Sequence, residues 1–230
     1  MRSLLRRLGL DVVAYVPRNY PHLRRPLLLR ELEIELVVDA GASDGSWAQG
    51  IRAAGFAGRI VSIEPHSGSF AVLERRGNVD ARWDCHRAAL GATAGEVELN
   101  VAGNRQSSSA LPMLELHRRL EPGSAFVGTE LVARVSLDEL LGASSEATFL
   151  KRDVQGAELD ALRGAGRTLA ATRAIEVELT TVPLYEGQAL MPEVLKFLYA
   201  NGFELIGLET SFRDRATGDL VQANGLLRRR

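Results

Sequence analysis

From Leu36 onward the chain alternates short apolar runs with segments whose apolar residues recur at helical spacing. That alternation predicts an α/β fold, a seven-stranded and mostly parallel sheet with helices on both faces. The first strand covers 36–38 and ends at Asp39, a loop of small residues runs from Gly41 to Gly45, and a helix over 46–54 follows. The second strand, 59–63, stops at Glu64-Pro65, because proline cannot extend a central ladder. A helix is expected over 67–76 and a third strand over 80–89. Between 96 and 101 polar and apolar residues alternate, the signature of a half-exposed strand. Residues 104–109 read as a polar loop, 112–120 as a short helix, and 135–141 as a strand end running into a helical turn. Regular alternation then resumes, with a strand over 148–154, a loop and helix over 156–169, a strand over 174–179 and a helix over 192–200. Asn201-Gly202 supplies a left-handed stop for that helix. Segments 203–208 and 218–227 close the sheet.

Composition narrows the function classes. At 230 residues the chain suits one α/β unit. Its 28 basic and 29 acidic residues leave a net charge of -1, which excludes a generally basic nucleic-acid binder and a highly charged disordered chain. The charge is unevenly placed: residues 1–30 carry +6 and the remainder -7. We therefore divide the chain into a basic leader, 1–30, and a domain, 31–230. In the leader, Leu4, Leu5, Leu8 and Val12 recur at helical spacing with Arg2, Arg6 and Arg7 between them. Two readings fit: peripheral contact with an anionic membrane or lipid-linked acceptor, or a helix whose apolar stripe packs on the body. No apolar run approaches the roughly 20 residues of a membrane span. The single cysteine, Cys85, excludes an intrachain disulfide and a cysteine-based zinc cluster, and it points to a reduced, cytoplasmic compartment.

The chemistry is expected where the strands end, because open α/β sheets bind ligands beyond their carboxyl edge. Asp39, Glu64 and Asp153 stand at three such ends, and Glu178 sits one residue from a fourth. The loop Asp39-Ala40-Gly41-Ala42-Ser43-Asp44-Gly45 has the glycines of a tight turn, yet two acids occupy the space a diphosphate would need. That disfavours NAD and ATP and favours a ligand bearing an ammonium or sulfonium. Glu64, 25 residues after Asp39, is placed to accept both hydroxyls of a ribose. A nucleoside with a cationic tail, such as S-adenosylmethionine, meets both conditions.

The blocks VVDAGASDGSWAQ, SIEP, RAALGATAGEVELNV, FLKRDVQGAELDALRGA, IEVELTTVPLYEG and FLYANGFEL resemble, in this order, those of the FkbM-type S-adenosylmethionine-dependent methyltransferases. The resemblance covers about 36–208, and its most specific block is the octapeptide beginning at Lys151. It implies a Rossmann-like class I methyltransferase fold and O-methylation of a hydroxyl on a sugar, glycolipid or polyketide-type metabolite. By position it makes Asp39, Gly41, Ser43 and Gly45 the cofactor loop, gives Glu64 the ribose, and sets Arg87 to Ala89, with Ala88 at the centre, beside the adenine. The chain departs from the family where Ser43 replaces an asparagine, where Arg152 replaces an isoleucine on a strand expected to be buried, and at Gln222 to Leu227, which lack an expected acid.

Methyl transfer to a hydroxyl needs alignment and the removal of one proton. Asp153, Glu178 and Glu158 are the candidate bases or orienting groups; the alternative is that Glu158 caps its helix and Asp153 only shapes its loop. His66 is a further candidate base, Tyr185 a candidate wall of the acceptor pocket, and Ser107 to Ser109 a candidate substrate-side loop. Clustered carboxylates also suit Mg²⁺, and the sequence leaves that cofactor open. A small-molecule or glycan acceptor is expected and a nucleic acid is not. A binding module that keeps the fold without catalysis, and a methyltransferase of RNA or protein, are the competing readings.

Overall fold

The computed structural model describes residues 20–230 together with Arg7 and Val16. The expected leader stripe of Leu4, Leu5, Leu8 and Val12 lies outside the described residues. Helix α1 (Pro21–Glu31) leads into β1 (Leu36–Ala40), α2 (Ser46–Ala53), β2 (Arg59–Ile63), α3 (Ser67–Gly77) and β3 (Trp83–His86). The return half contains β7 (Thr148–Arg152), α6 (Glu158–Arg163), α7 (Gly166–Ala171), β8 (Thr172–Thr180), α8 (Met191–Ala200), β9 (Phe203–Arg213) and β10 (Leu220–Arg229). These strands form one sheet in the order β3-β2-β1-β7-β8-β10-β9, with β10 antiparallel to both its neighbours. The seven-stranded expectation holds. The left-handed stop after α8 falls on Gly202, at φ 82°.

Two apolar layers explain why the central strands contain so little polarity. On one face Val38, Leu150, Ile175 and Val177 pack with Leu162, Val194 and Leu198 from α6 and α8. On the other, Val37, Ile60 and Phe149 pack with Leu28 and Leu29 of α1, Ala48 and Ile51 of α2, and Leu73 of α3. Strands covered on both sides favour apolar residues, and every residue of β1 and of β7 is buried, the charged Asp39, Lys151 and Arg152 near their carboxyl ends included. Helix α1 straddles the division drawn at residue 30, and its last leucines belong to the core of the body.

The middle of the chain differs from the expected third strand over 80–89. β3 ends at His86, and a separate two-residue strand, β4 (Ala89–Leu90), joins β5 (Gly95–Ala102) and β6 (Phe126–Val135) in a second sheet ordered β4-β6-β5. A short helix, α4 (Glu115–Leu120), and a single 3₁₀ turn lie between β5 and β6. After β6, α5 (Leu137–Leu141) is a five-residue helix that persists because Ser136 and Glu139 cap each other: Ser136 Oγ accepts from the Glu139 amide at 3.2 Å, and Glu139 Oε2 accepts from the Ser136 amide at 3.1 Å.

Chain order reverses between β1 and β7. The loops after these adjacent strands diverge to opposite sides, which opens a crevice at their carboxyl ends.

Candidate active site

The crevice encloses about 900 Å³, and Gly41, Ser43, Glu64, Ala88, Asp153 and Glu178 all line it. Asp39 lies directly beneath, fully buried, with Lys151 Nζ 3.1 Å from its Oδ1. These two are register partners on β1 and β7, so strand pairing itself makes the contact. Lys151 Nζ also donates to the Gly41 carbonyl at 2.8 Å, tying the first loop to β7. Burial raises the Asp39 pKa and Lys151 opposes that rise. Burial would lower Lys151, but the Asp39 and Asp153 carboxylates outweigh it and hold the lysine above its usual range.

The loop after β1 turns on two glycines. Gly41 has φ 74°, and a β-carbon built there falls 1.7 Å from the Asp153 carbonyl oxygen. Gly45 has φ 81°, and a β-carbon there meets Leu73 and Trp83 at 2.8 and 3.2 Å. Ser43 takes the left-handed conformation as well, at φ 50°, which lets its amide donate to Glu64 Oε2 at 2.8 Å. Gly41→Ala is therefore expected to destabilise the domain by more than about 2 kcal/mol, since it combines backbone strain with displacement of the β7 loop. Urea denaturation checks this; a loss under about 0.5 kcal/mol would show that the two loops can separate freely.

Glu64 is 7% exposed at the end of β2 and accepts amide hydrogens from Ser43 and, at 3.0 Å, His66. Burial lifts its pKa to about 7 against the pull of these amides and of Lys151. It is a carboxyl poised to gain partners that favour its ionised form.

The three expected bases separate. Asp153 and Glu178 both face the crevice and share one bridging group: Gln155 Nε2 donates to Asp153 Oδ1 at 2.6 Å and to Glu178 Oε2 at 3.1 Å. Gln222 Nε2 donates to the same Glu178 oxygen at 2.7 Å. Burial and the negative charges of Asp153 and Glu158 push Glu178 well above the usual carboxylate range. Glu158, by contrast, turns its carboxylate onto the amides of Val154 and Gly156 at 3.0–3.2 Å, and it does not reach the crevice. The alternative expected for Glu158 is a helix cap; its carboxylate instead braces the turn that precedes α6.

His66 caps α3, its Nδ1 3.1 Å from the Ser69 amide, and lies off the crevice wall. Tyr185 is fully buried behind that wall, its hydroxyl 2.9 Å from the Ser107 carbonyl and 3.0 Å from Gln155 Oε1. It therefore orients the bridging glutamine and does not contact the cavity. Ser107 to Ser109 do line the crevice, with Ser109 Oγ donating to the Gln155 carbonyl at 2.6 Å. For Mg²⁺ the residues do not fit: among the described residues no three of His, Cys, Asp and Glu converge as a cation site, and the Gln155 amide nitrogen fills the gap between Asp153 and Glu178.

Several wall residues escaped the sequence reading. Lys151, Gln155 and Gln222 are the partners of the acids, and Arg25 from α1 pairs with Glu176 at the crevice edge and with Glu209 at 3.1 Å. A lysine in a strand expected to be buried was the available signal for the first of them.

The model of the "Methyltransferase FkbM domain" family matches residues 39–205. The chain belongs to the FkbM methyltransferase family. The match starts at Asp39 itself and takes in every crevice acid described above. The FkbM architecture also appears in structural likeness. The crystal structure of methyltransferase FkbM from Methylobacillus flagellatus KT is 16% identical with a TM-score of 0.51, covering 84% of this chain and 44% of its own. A putative O-methyltransferase from Klebsiella pneumoniae is 12% identical with a TM-score of 0.53, covering 99% of this chain and 87% of its own. At these identities the likeness concerns the fold, a Rossmann-like class I methyltransferase sheet. This FkbM chain thus spans less than half the length of the Methylobacillus protein. No curated protein matches it in sequence. Among the described residues no helix is long and apolar enough to cross a membrane.

Proposed function

We propose that this chain is an S-adenosylmethionine-dependent O-methyltransferase whose acceptor is a hydroxyl on a small molecule or glycan, of the sugar, glycolipid or polyketide type. The observation that carries the reading is the placement of Glu64, Asp153 and Glu178 on one crevice at the carboxyl ends of β2, β7 and β8, with Asp39 buried beneath it on β1. This acidic surround suits a sulfonium nucleoside and disfavours a diphosphate. Bound there, the cofactor supplies an electrophilic methyl group on a cationic sulfur.

The chain supplies recognition, charge and a proton acceptor. Glu64 accepts from the ribose hydroxyls, and the Gly41 turn lets the ligand approach the backbone. Lys151 fixes Asp39 and the first loop in place before ligand arrives, which lowers the ordering cost of binding. Two amide donors converge on Glu178 Oε2, so Oε1 is the oxygen left to take the acceptor's proton. Its raised pKa makes it a stronger base than an ordinary carboxylate, and a positive charge entering the crevice draws it back to the ionised form that can act. Asp153 and Gln155 hold that carboxylate in line.

Calorimetry and thermal melting test the reading. At about 100 times Kd, adenosylhomocysteine is expected to raise Tm by roughly 5–10 °C, and NAD to leave it unchanged. Transfer of labelled methyl to cell extract then identifies the acceptor. Absence of binding by both adenosylmethionine and adenosylhomocysteine would support the non-catalytic module instead. Affinity is also expected to depend on pH through Glu64. Its free pKa of about 7 must fall when ribose hydroxyls donate to the ionised form, so binding expels a proton at acid pH. Kd rises up to about tenfold per unit below pH 7 and levels above it, and Glu64→Gln removes that component. A pH-independent Kd between 5.5 and 8 would remove Glu64 from the ribose.

A further inference from the structure

Asn224 is the open position of an otherwise closed stretch of strand. From Val221 to Leu227 every other residue of β10 is buried, yet Asn224 is only half-buried, and it lines the crevice. Antiparallel register sets it directly between Glu178 of β8 and Glu209 of β9. Opposed residues of such a pair send their side chains to the same face with Cβ atoms about 5 Å apart, so the Asn224 amide stands beside the carboxylate of the base. The neighbouring amides are engaged, since Gln155 and Gln222 both donate to Glu178 Oε2. The Asn224 side chain has no hydrogen bond to any described residue, and neither of its amide atoms is sealed from solvent. It therefore offers unused donors and an unused acceptor to whatever meets Glu178.

Charge around this row defines what it takes. Arg25 is held by Glu176 and Glu209, and Lys151 by Asp39 and the Gly41 carbonyl. The two cations that flank the row are thus neutralised, and neither is left to receive a carboxylate or a phosphate. A neutral amide also gives no attraction to an ammonium, which an acid at this position would supply; this is the segment in which the chain lacks an acid expected from its family. A hydroxyl both donates and accepts, as the amide does, and is the neutral group that satisfies it. Glu178 Oε1 already faces the reacting hydroxyl. Side chains one strand spacing apart then meet hydroxyls on neighbouring carbons of one acceptor.

We propose that Asn224 is an acceptor-recognition residue and that the acceptor is a neutral vicinal diol, one hydroxyl of which is methylated while Asn224 holds the other. The inference rests on the proposed methyl transfer at Glu178 and narrows its acceptor from any hydroxyl to one with a second hydroxyl on the adjacent carbon, as in a sugar ring. An isolated hydroxyl leaves the amide without its partner, and the acceptor then loses both a hydrogen bond and an orienting contact.

Two measurements test it. In the first, the full chain saturated with adenosylhomocysteine is titrated with cis-1,2-cyclohexanediol and with cyclohexanol, followed through the backbone and Asn224 side-chain amide signals of nitrogen-labelled protein. The native chain is expected to bind the diol roughly three- to tenfold tighter than the alcohol, with a shift of the Asn224 signals. Asn224→Ala is expected to lose that preference and to keep native affinity for adenosylhomocysteine. In the second, cell extract is oxidised with periodate, which cleaves vicinal diols, and is quenched before the chain and labelled adenosylmethionine are added. Methyl acceptance is expected to disappear. A native chain that fails to prefer the diol overturns the proposal, whether or not the variant folds. So does an Asn224→Ala chain that keeps the preference, or acceptance that survives periodate. Failure to bind adenosylhomocysteine, or an extract that accepts no methyl before oxidation, would instead overturn the methyltransferase reading on which the proposal rests.

Discussion

Lys151→Met is expected to lower the unfolding free energy by about 3–5 kcal/mol and Tm by roughly 6–20 °C. The lysine is the partner of a carboxylate with no exposure at all, and it anchors the Gly41 carbonyl of the neighbouring loop. Methionine fills much of the same volume, so the loss comes from stranding a charge and not from a cavity. Asp39 then unfolds the chain or takes up a proton, and its already raised pKa climbs further. Stability of the variant should therefore recover toward acid pH, where Asp39 is neutral, relative to the native chain. Replacing both partners, as in Asp39→Asn with Lys151→Met, should restore most of the stability, because two neutral groups of similar shape leave no stranded charge. Cofactor binding should stay lost in both, since the acid and the fixed loop are each needed. Urea denaturation of the single and double variants decides the matter: a single variant within 1 kcal/mol of native would show that the pair is solvated and not a structural tie.

The contrast between Asp39 and Lys151 also marks what a sequence can disclose. An acid at the end of an apolar strand, followed by Gly41 and Gly45, announces itself locally, and Glu64 repeats the pattern one strand later. The partner of Asp39 lies 112 positions away and meets it only because β1 and β7 pair in parallel register. Glu158 shows the reverse. At the start of a helix and beside Asp153 it looks like a third crevice acid, but the turn through Gln155 and Gly156, both at positive φ, folds it back onto its own amides. The second sheet was legible only in part. β5 alternates cleanly, whereas in β6 the segment Phe126–Val135 mixes exposed Val127 and Leu131 with polar residues, so its burial does not follow a period of two. Arg152 was visible as a departure from the family, and only packing reveals that its guanidinium has no hydrogen-bond partner among the described residues.

Glu178→Gln is expected to reduce kcat by about 10²- to 10⁴-fold, the range that a positioned general base supplies, while adenosylhomocysteine binds within a few-fold of native. The substitution keeps the shape of the side chain and an oxygen able to accept from Gln155 and Gln222, so geometry at the cofactor end is retained. What is lost is the ability to take the acceptor's proton. In the native enzyme kcat/KM should fall as pH drops through the raised pKa of this carboxyl, because only the ionised form is a base; in the variant that limb of the profile should disappear. Stability provides an independent sign. A carboxyl whose folded pKa lies above its unfolded value binds more protons in the folded state, so folding weakens as pH rises from the unfolded pKa toward the folded one. Removing Glu178 should therefore leave stability near native at pH 4 and increase it at pH 8. Asp153→Asn, which removes the charge beside the Gln155 bridge but not the proton acceptor, should cost less in kcat than Glu178→Gln does. An ordering the other way would move the base to Asp153, and a Glu178→Gln enzyme with kcat within threefold of native would remove Glu178 from the chemistry altogether.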